Sequence, residues 1–510
     1  SCWALDHVHA PTVVIMGAEK YCGREHRYVD YSVPEVLQMM GRASTLALHE
    51  QALCLLMCMA GKRDFYLKFL HEPLPLESRL DGHLHDAMNS EIVAKTIASK
   101  QDAVDYLTWT LLYRRLVQNP NYYGLQGTSH EHLSDYLSEL IESTLADLEA
   151  AKCVSVDEDA VEPTNLGMIA AYYQIRYLTV EMFALSLSAK TKLRGVLDII
   201  SAADEFEALP VRHREEAVLD RIALRLPVPL PSSSTAEGEG MGRWNSPRVR
   251  THLLLQAHFS RLTLPADLAA DQQWCLLRVM PLLQALVDVA SSMGWLAPAL
   301  AAMELSQMSV QAIWESRDPL VKQIPHLSER LDKCTLAGVQ SVFDIMDMED
   351  DDRARLLNGL APRQVAEVAA FVNRYPNIEV DYQVDAPEDI CEGGLVSVRL
   401  SLDREWDDDE EVGPVVAPFF PSVRMENWWV VIGDPQNQAL VAVKRLGMFN
   451  KHLDVQVEFN APEHVGTVKW KLFLMCDAFL GCDQEFDLEM DVQPAEDDDE
   501  EEEDEDDEDL

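Results

Sequence analysis

The chain has 510 residues, 47% of them hydrophobic, with 42 basic and 87 acidic side chains and a formal charge of −45. That length suffices for roughly three to five domains with cores of their own. The acidity leaves no basic stripe, which excludes a generic nucleic-acid-coating surface; any RNA contact has to be local.

The closing run Glu496–Asp509 is unbroken acid and supplies 14 of the negative charges, leaving −31 on the rest. A run of like charges this dense is expected to be disordered, so residues 493–510 read as a tail. The ten cysteines show neither paired CxxC units nor zinc spacing with histidine, and they read as reduced thiols of an intracellular protein. His83 and His85 form one HxH, and His130 and His132 another, without carboxylate or thiol ligands to complete a metal set. No signal peptide follows Ser1 and no apolar run looks long enough to span a bilayer. The chain is expected to be soluble, without membrane contact, and open to being a piece of a longer protein.

In chain order, residues 1–75 read as alternating strands and helices, the closing half of an α/β lobe. Pro11–Gly17 and Ala52–Ala60 are short apolar runs of the kind found in buried parallel strands, and Pro34 opens a helix between them. Residues 76–162 read as a winged helix. Asp86–Gln118 gives two helices with Asp102 capping the second, Thr128–Lys152 a third with Ser129 as cap, and Cys153–Pro163 a short strand and turn. The third helix carries Glu131, Asp135, Glu139 and Glu142. Acids there point to a hinge between domains rather than to nucleic-acid contact.

Residues 163–324 read as a helical bundle in which 226–247, rich in Pro, Ser and Gly, is a mobile loop. Its centre is Asp271–Gly294, apolar nearly all round, where only Arg278 and Asp288 carry charge between the two ends. A helix without a wide polar face belongs inside a bundle. Pro281 removes one of its backbone hydrogen bonds and should kink it. Residues 325–376 read as a compact helical hairpin unit. From 377 to 492 the hydrophobic period falls to two, with short strands such as Val396–Leu402, Trp428–Asp434 and Thr467–Met475. These suggest a β-sandwich of fibronectin or immunoglobulin type. The fold class is therefore multidomain α+β.

Several strings carry a resemblance. Gln38-Met39-Met40-Gly41-Arg42-Ala43 resembles the sixth motif of superfamily-two helicases, QxxGRxxR, and Ser1–Leu5 resembles the tail of the preceding motif. HEPLPLESRL, SKQDAVDYLTWTLLYRRLVQNPNYYGLQG, NLGMIAAYYQI, APALAAMELSQM, SVFDIMDMED, NRYPNIE and WWVVIGD, spread over nearly the whole chain, closely resemble the second, C-terminal cassette of the Brr-type spliceosomal RNA helicases. The resemblance implies the end of a RecA-like lobe at 1–75 and a ratchet bundle around the central helix. It also implies a nuclear setting, protein partners in the U5 particle, and a role in unwinding the U4/U6 RNA duplex. In that motif Gln38, Gly41 and Arg42 would line a nucleotide site, the arginine reaching the γ-phosphate. A permanently charged fork suits that task. On the ratchet helix Arg278 and Gln284 are the candidate RNA contacts, with RNA secondary to protein.

The resemblance also shows departures. The full-length family uses ATP and magnesium, which need a phosphate-cradling loop and a carboxylate pair. Here Gly61-Lys62 is preceded by Leu56 where the loop needs glycine and followed by Arg63 where it needs Ser or Thr, and no DExH/D element follows a buried strand. The second motif-six arginine of active relatives falls at Thr45, and an RNA-contacting basic position of the ratchet helix at Pro281. No GxSxG elbow offers another chemistry. No cofactor and no catalytic residue are assigned to these residues alone. The expectation is a protein-docking and regulatory module, with a fragment of an active ATP-dependent RNA helicase as the alternative. A protein sharing only the bundle, hairpin and sandwich, such as a translocation component of the endoplasmic reticulum membrane, is the more distant rival.

Overall fold

A computed structural model describes residues 10–23, 25–43, 51–71, 76–212, 214–231, 243–385, 390–405 and 412–494. The expectations for Ser1–Leu5, for Thr45 and for the acidic run from Glu496 lie outside these residues.

The first unit begins with β1 (Thr12–Met16), the hairpin of β2 (Glu19–Cys22) and β3 (Arg27–Asp30), and α1 (Val33–Gly41). It closes with β4 (Leu53–Met57) and α2 (Arg63–His71). β1 and β4 pair in parallel, as the apolar runs predicted. They are not buried on both sides, however. Val14, Met16, Leu53, Leu55 and Met57 are all exposed on alternate positions, and only Ile15, Ala18, Val36 and Tyr66 form the local core. Within this unit one sheet face is covered, by α1 and α2, and the pleat turns every second side chain outward.

The second unit holds α3 (Leu84–Val93), α4 (Lys100–Thr108), α5 (Leu111–Gln118), α6 (His130–Ala150) and a wing made of β5 (Val154–Asp157) and β6 (Ala160–Pro163). Three helices stand where two were expected before Gln118. Ser99 breaks the chain by capping α4, its hydroxyl accepting from Asp102 N–H at 3.1 Å, and Thr110 separates α4 from α5. Asp102 is therefore not the cap; its carboxylate reaches back to Ala98 N–H at 3.2 Å. Ser129 caps α6 as expected. Leu84, Met88, Leu107, Leu112, Ile141 and Leu148 build the core of this unit.

The remainder is one body. Its bundle comprises α7 (Asn165–Tyr173), α8 (Tyr177–Ser186), α9 (Leu193–Ser201), α10 (Glu216–Ala223), α11 (Pro247–Phe259), α12 (Ala266–Ser292) and α13 (Leu296–Gln311). The hairpin unit follows with α14 (Leu331–Leu336), α15 (Val342–Met346), α16 (Asp350–Leu357) and α17 (Pro362–Val372). Then come β7 (Ile378–Val384), β8 (Leu395–Arg404), β9 (Trp428–Asp434), β10 (Ala439–Leu446), β11 (His452–Asn460), β12 (Gly466–Cys476) and β13 (Gln484–Val492). They form two antiparallel sheets, ordered β10-β9-β12-β13 and β11-β8-β7. A single cluster of buried apolar side chains runs from Leu166 to Val492 through bundle, hairpin and both sheets.

α12 lies at the bundle's centre, packed against α7, α8, α11 and α13. By length and composition it is apolar enough to cross a membrane, contrary to the expectation that no such run exists. Its side chains from Leu268 to Ala290 are instead mostly buried among its neighbours, as a bundle core requires. The supposed mobile loop is also corrected at both ends. Gln256 pairs its amide with the backbone N–H and C=O of Val228, both at 2.9 Å. Trp244 is buried and its indole N–H donates to Asp220 at 3.1 Å. Residues 232–242 lie outside the description.

Candidate functional site

α1 forms because Glu35 closes its first turn, accepting from the backbone and hydroxyl of Ser32, with Pro34 supplying a fixed φ. Gln38 and Arg42, one turn apart, share a face of the helix, and Gly41 lies exposed beside them at its end. The structure thus brings the three motif residues together. The cavity next to α1 holds about 200 Å³ and is walled by Val36, Met40, Cys54, Leu56 and Tyr66 without any of the three. It is mostly apolar, with Arg63 also at its wall, and smaller than the usual ligand pocket. Among the described residues no three metal-ligating side chains cluster, and one histidine of each HxH is engaged: His85 pairs with Asp147 at 2.9 Å, and His132 with Ser129.

On α6, Glu131, Asp135, Glu139 and Glu142 all face solvent. A helix so lined repels phosphate. The joint role is visible at α3 instead. Asn89 donates to Gly167 O at 2.9 Å, Asp86 accepts from Tyr177 N–H at 2.9 Å, and His85 stacks on the Tyr177 ring. Gly167 is required there, because a Cβ would stand 2.0 Å from Cys153 O.

Arg278 and Gln284 are not brought together. Six residues on a helix of 3.6 per turn place them on different faces of α12. The Arg278 guanidinium lies 3.7 Å over the Trp274 ring and donates to Trp274 O at 3.2 Å, and desolvation lowers its pKa. Gln284 is engaged from the sandwich. Arg445 on β10 donates to its side-chain and backbone oxygens and to Asp288 at 2.6 Å. Tyr173 of α7 donates to the same Asp288 at 2.7 Å. Farther up, Asp271 is gripped by both Nη atoms of Arg212, and Gln272 donates to Leu254 O. The polar groups of the central helix are thus largely consumed by intramolecular bonds. Sequence reasoning missed this network. Its one signal was Asp288, an acid in an apolar helix, which needs a cation from elsewhere.

A second feature was also missed. The turn Asp477–Asp483 between β12 and β13 is buried among bundle, hairpin and sandwich, and its main chain is read by side chains. Ser306 donates to Asp477 O, Gln307 to Cys476 O, Gln311 to Ala478 O, and Gln323 and Tyr375 to Leu480 O, at 2.7 to 2.9 Å. The Asp477 carboxylate accepts from Arg424 and from Asn427 N–H. Buried carbonyls must be paired, and a serine, three glutamines and a tyrosine do so here. Gln307 and Gln311, one turn apart on an apolar helix, were the legible trace.

Comparison with known proteins places the chain. Residues 163–489 match the family described as Sec63 Brl domain, and residues 77–158 match a winged helix-turn-helix domain. The chain belongs to the Sec63 Brl domain family, with a winged helix ahead of that domain. It is 52% identical over 497 residues, 97% of its length, to the U5 small nuclear ribonucleoprotein 200 kDa helicase of Homo sapiens. It is 51% identical over 96% of its length to the protein of that name in Drosophila melanogaster, and 45% identical over 96% to the DExH-box ATP-dependent RNA helicase DExH12 of Arabidopsis thaliana. The chain spans 22% of each of these relatives. The family resemblance drawn from the sequence strings is borne out.

Proposed function

We propose that this chain works in the nucleus as a protein-docking and regulatory part of a spliceosomal helicase, in the setting of U4/U6 unwinding, without ATP-driven work of its own. In this reading residues 1–75 close a second RecA-like lobe, 163–324 form the ratchet bundle, 325–376 the hairpin unit, and 377–492 an immunoglobulin- or fibronectin-like sandwich. The two sheets of four and three strands support the last assignment. The observation that carries the functional reading is the state of the central helix. A helix that tracks RNA needs free polar and basic groups along one face. Here Gln284 and Asp288 are bound to Arg445, Asp271 to Arg212, and Arg278 lies on its own helix's tryptophan. The Arg445 bonds brace the sandwich against the bundle.

The partners are proteins of the U5 particle, and RNA contact through Arg278 or Gln284 is secondary. The test is affinity capture by residues 1–510 from nuclear extract, with mass spectrometry of bound protein and sequencing of bound RNA. Recovery of U5-particle proteins is expected. Recovery of spliceosomal RNA in a protein-free reconstitution, lost with Arg278→Ala, would favour a working RNA channel instead.

A further inference from the structure

Bundle, hairpin and sandwich enclose a cavity of about 730 Å³. That is the size range of ligand pockets. Arg261, two residues past α11, contributes a positive charge to its wall. Its Nε donates to Ala312 O at 2.9 Å and its Nη2 to Gln311 O at 3.0 Å, the last carbonyls of α13. These bonds cap a helix, but neutral carbonyls do not balance a full charge. The acid that acts on Arg261 is Asp318, and its carboxylate already accepts from Trp314 N–H and Lys322. Among the described residues Arg261 makes no ion pair, and burial pulls its pKa down to about 10. A desolvated cation without a counter-charge is costly, and an entering anion removes that cost.

The walls narrow the class of anion. Ile324, Pro325, Leu360 and Val416 are apolar, and the guanidinium lies 4.4 Å from the ring centre of Phe419, a residue 47% exposed. Glu329 and Glu367 also line the cavity, and Glu367 is held by His326 at 2.5 Å and Arg363 at 3.0 Å. Arg330, which donates to Asn358 O at 2.7 Å, is a second arginine of the wall. Two arginines against two acids, in a chain of charge −45, disfavour a polyphosphate with its several charges. A single carboxylate framed by apolar groups carries one charge and meets less of that repulsion.

We propose that this cavity receives an aspartate or glutamate side chain from a partner protein segment, paired with Arg261 and flanked by apolar side chains that pack on Phe419 and Leu360. The proposal deepens the docking reading and rests on it for the partner being a protein. The test titrates the full chain, methyl-labelled at Ile324 and Leu360, with N-acetyl-Phe-Glu-Leu-amide and with its Phe-Gln-Leu counterpart, followed by NMR. Saturable shifts are expected for the glutamate peptide, about tenfold weaker binding for the glutamine one, and a similar loss in Arg261→Gln. Phe419→Ala, at a half-exposed position that leaves folding intact, should weaken the glutamate peptide several-fold. Equal affinity of the two peptides, no shift with either, or indifference to Phe419→Ala would overturn the proposal. So would inorganic phosphate displacing the glutamate peptide at equal concentration. Failure here with U5-particle capture intact rejects the cavity alone; failed capture with the peptide bound as described rejects the spliceosomal reading alone.

Discussion

Residues 10–71 and residues 163–494 are held together very differently. The first stretch carries the helicase-motif residues Gln38, Gly41 and Arg42, yet among its described residues only four buried apolar side chains cluster into a core, and a strand face is left open. The second carries no such motif, yet shares one core from Leu166 to Val492 and threads a buried turn through three layers of side-chain hydrogen bonds. Parallel strands are normally covered on both faces. The described residues of the motif-bearing part thus share a far smaller core than those of the Sec63 Brl part. The residues that would serve nucleotide chemistry sit on the weak side of that contrast, and those that would serve docking on the strong side.

The contrast can be broken most forcefully at Phe371, fully buried against Tyr375 and Phe479. Phe371→Ala should cost about 3–5 kcal/mol. Hydrogen exchange should rise together in bundle, hairpin and sandwich, with 10–71 unchanged. Faster exchange confined to 325–376 would show that the three layers are not one body.

A pH effect comes next. Burial first, then the nearby Glu315 and Asp483 charges, push Glu304 up to about 7, and burial pushes Asp483 up to about 6. Both folded values lie above those of the unfolded chain, so the native state binds more protons. Stability should rise as pH falls from 8 through these values and level off near the unfolded carboxylate pKa. Glu304→Gln should flatten the Tm profile between pH 8 and 6; an unchanged slope would assign the effect to the general acidity of the chain.

Arg445→Met removes the bonds to Gln284 and Asp288 and leaves Asp288 to Tyr173 alone. For this partly exposed brace a loss of about 1 kcal/mol is expected, read in denaturant melts. Ser99→Ala should cost about 1 kcal/mol or less in the winged helix, with the larger body untouched. A loss shared by both units would show that they unfold as one.

Much of this architecture was legible. Period-two runs located sandwich strands β8, β9 and β12, and Ser129 and Pro34 marked helix starts where the structure has them. The misses have physical causes. Ile378–Val384 was passed over because it is mostly exposed and polar, so its period is faint. The ends of the 226–247 segment look like loop by composition, yet Trp244 and the Gln256 amide fix them through contacts far apart in sequence. The open faces of β1 and β4 could not be foreseen, because an apolar run reads the same whether one face or two are covered. At the candidate site, the grouping of Gln38, Gly41 and Arg42 followed from helical spacing. The capture of Gln284 by Arg445 did not, since the partners lie 161 positions apart.

The most direct test is ATP turnover by residues 1–510, with and without single-stranded RNA, for wild type and Arg42→Ala. No turnover above background, and no difference between the two proteins, is the predicted result. Reproducible hydrolysis that Arg42→Ala abolishes would contradict the docking account and restore the motif residues to catalytic work.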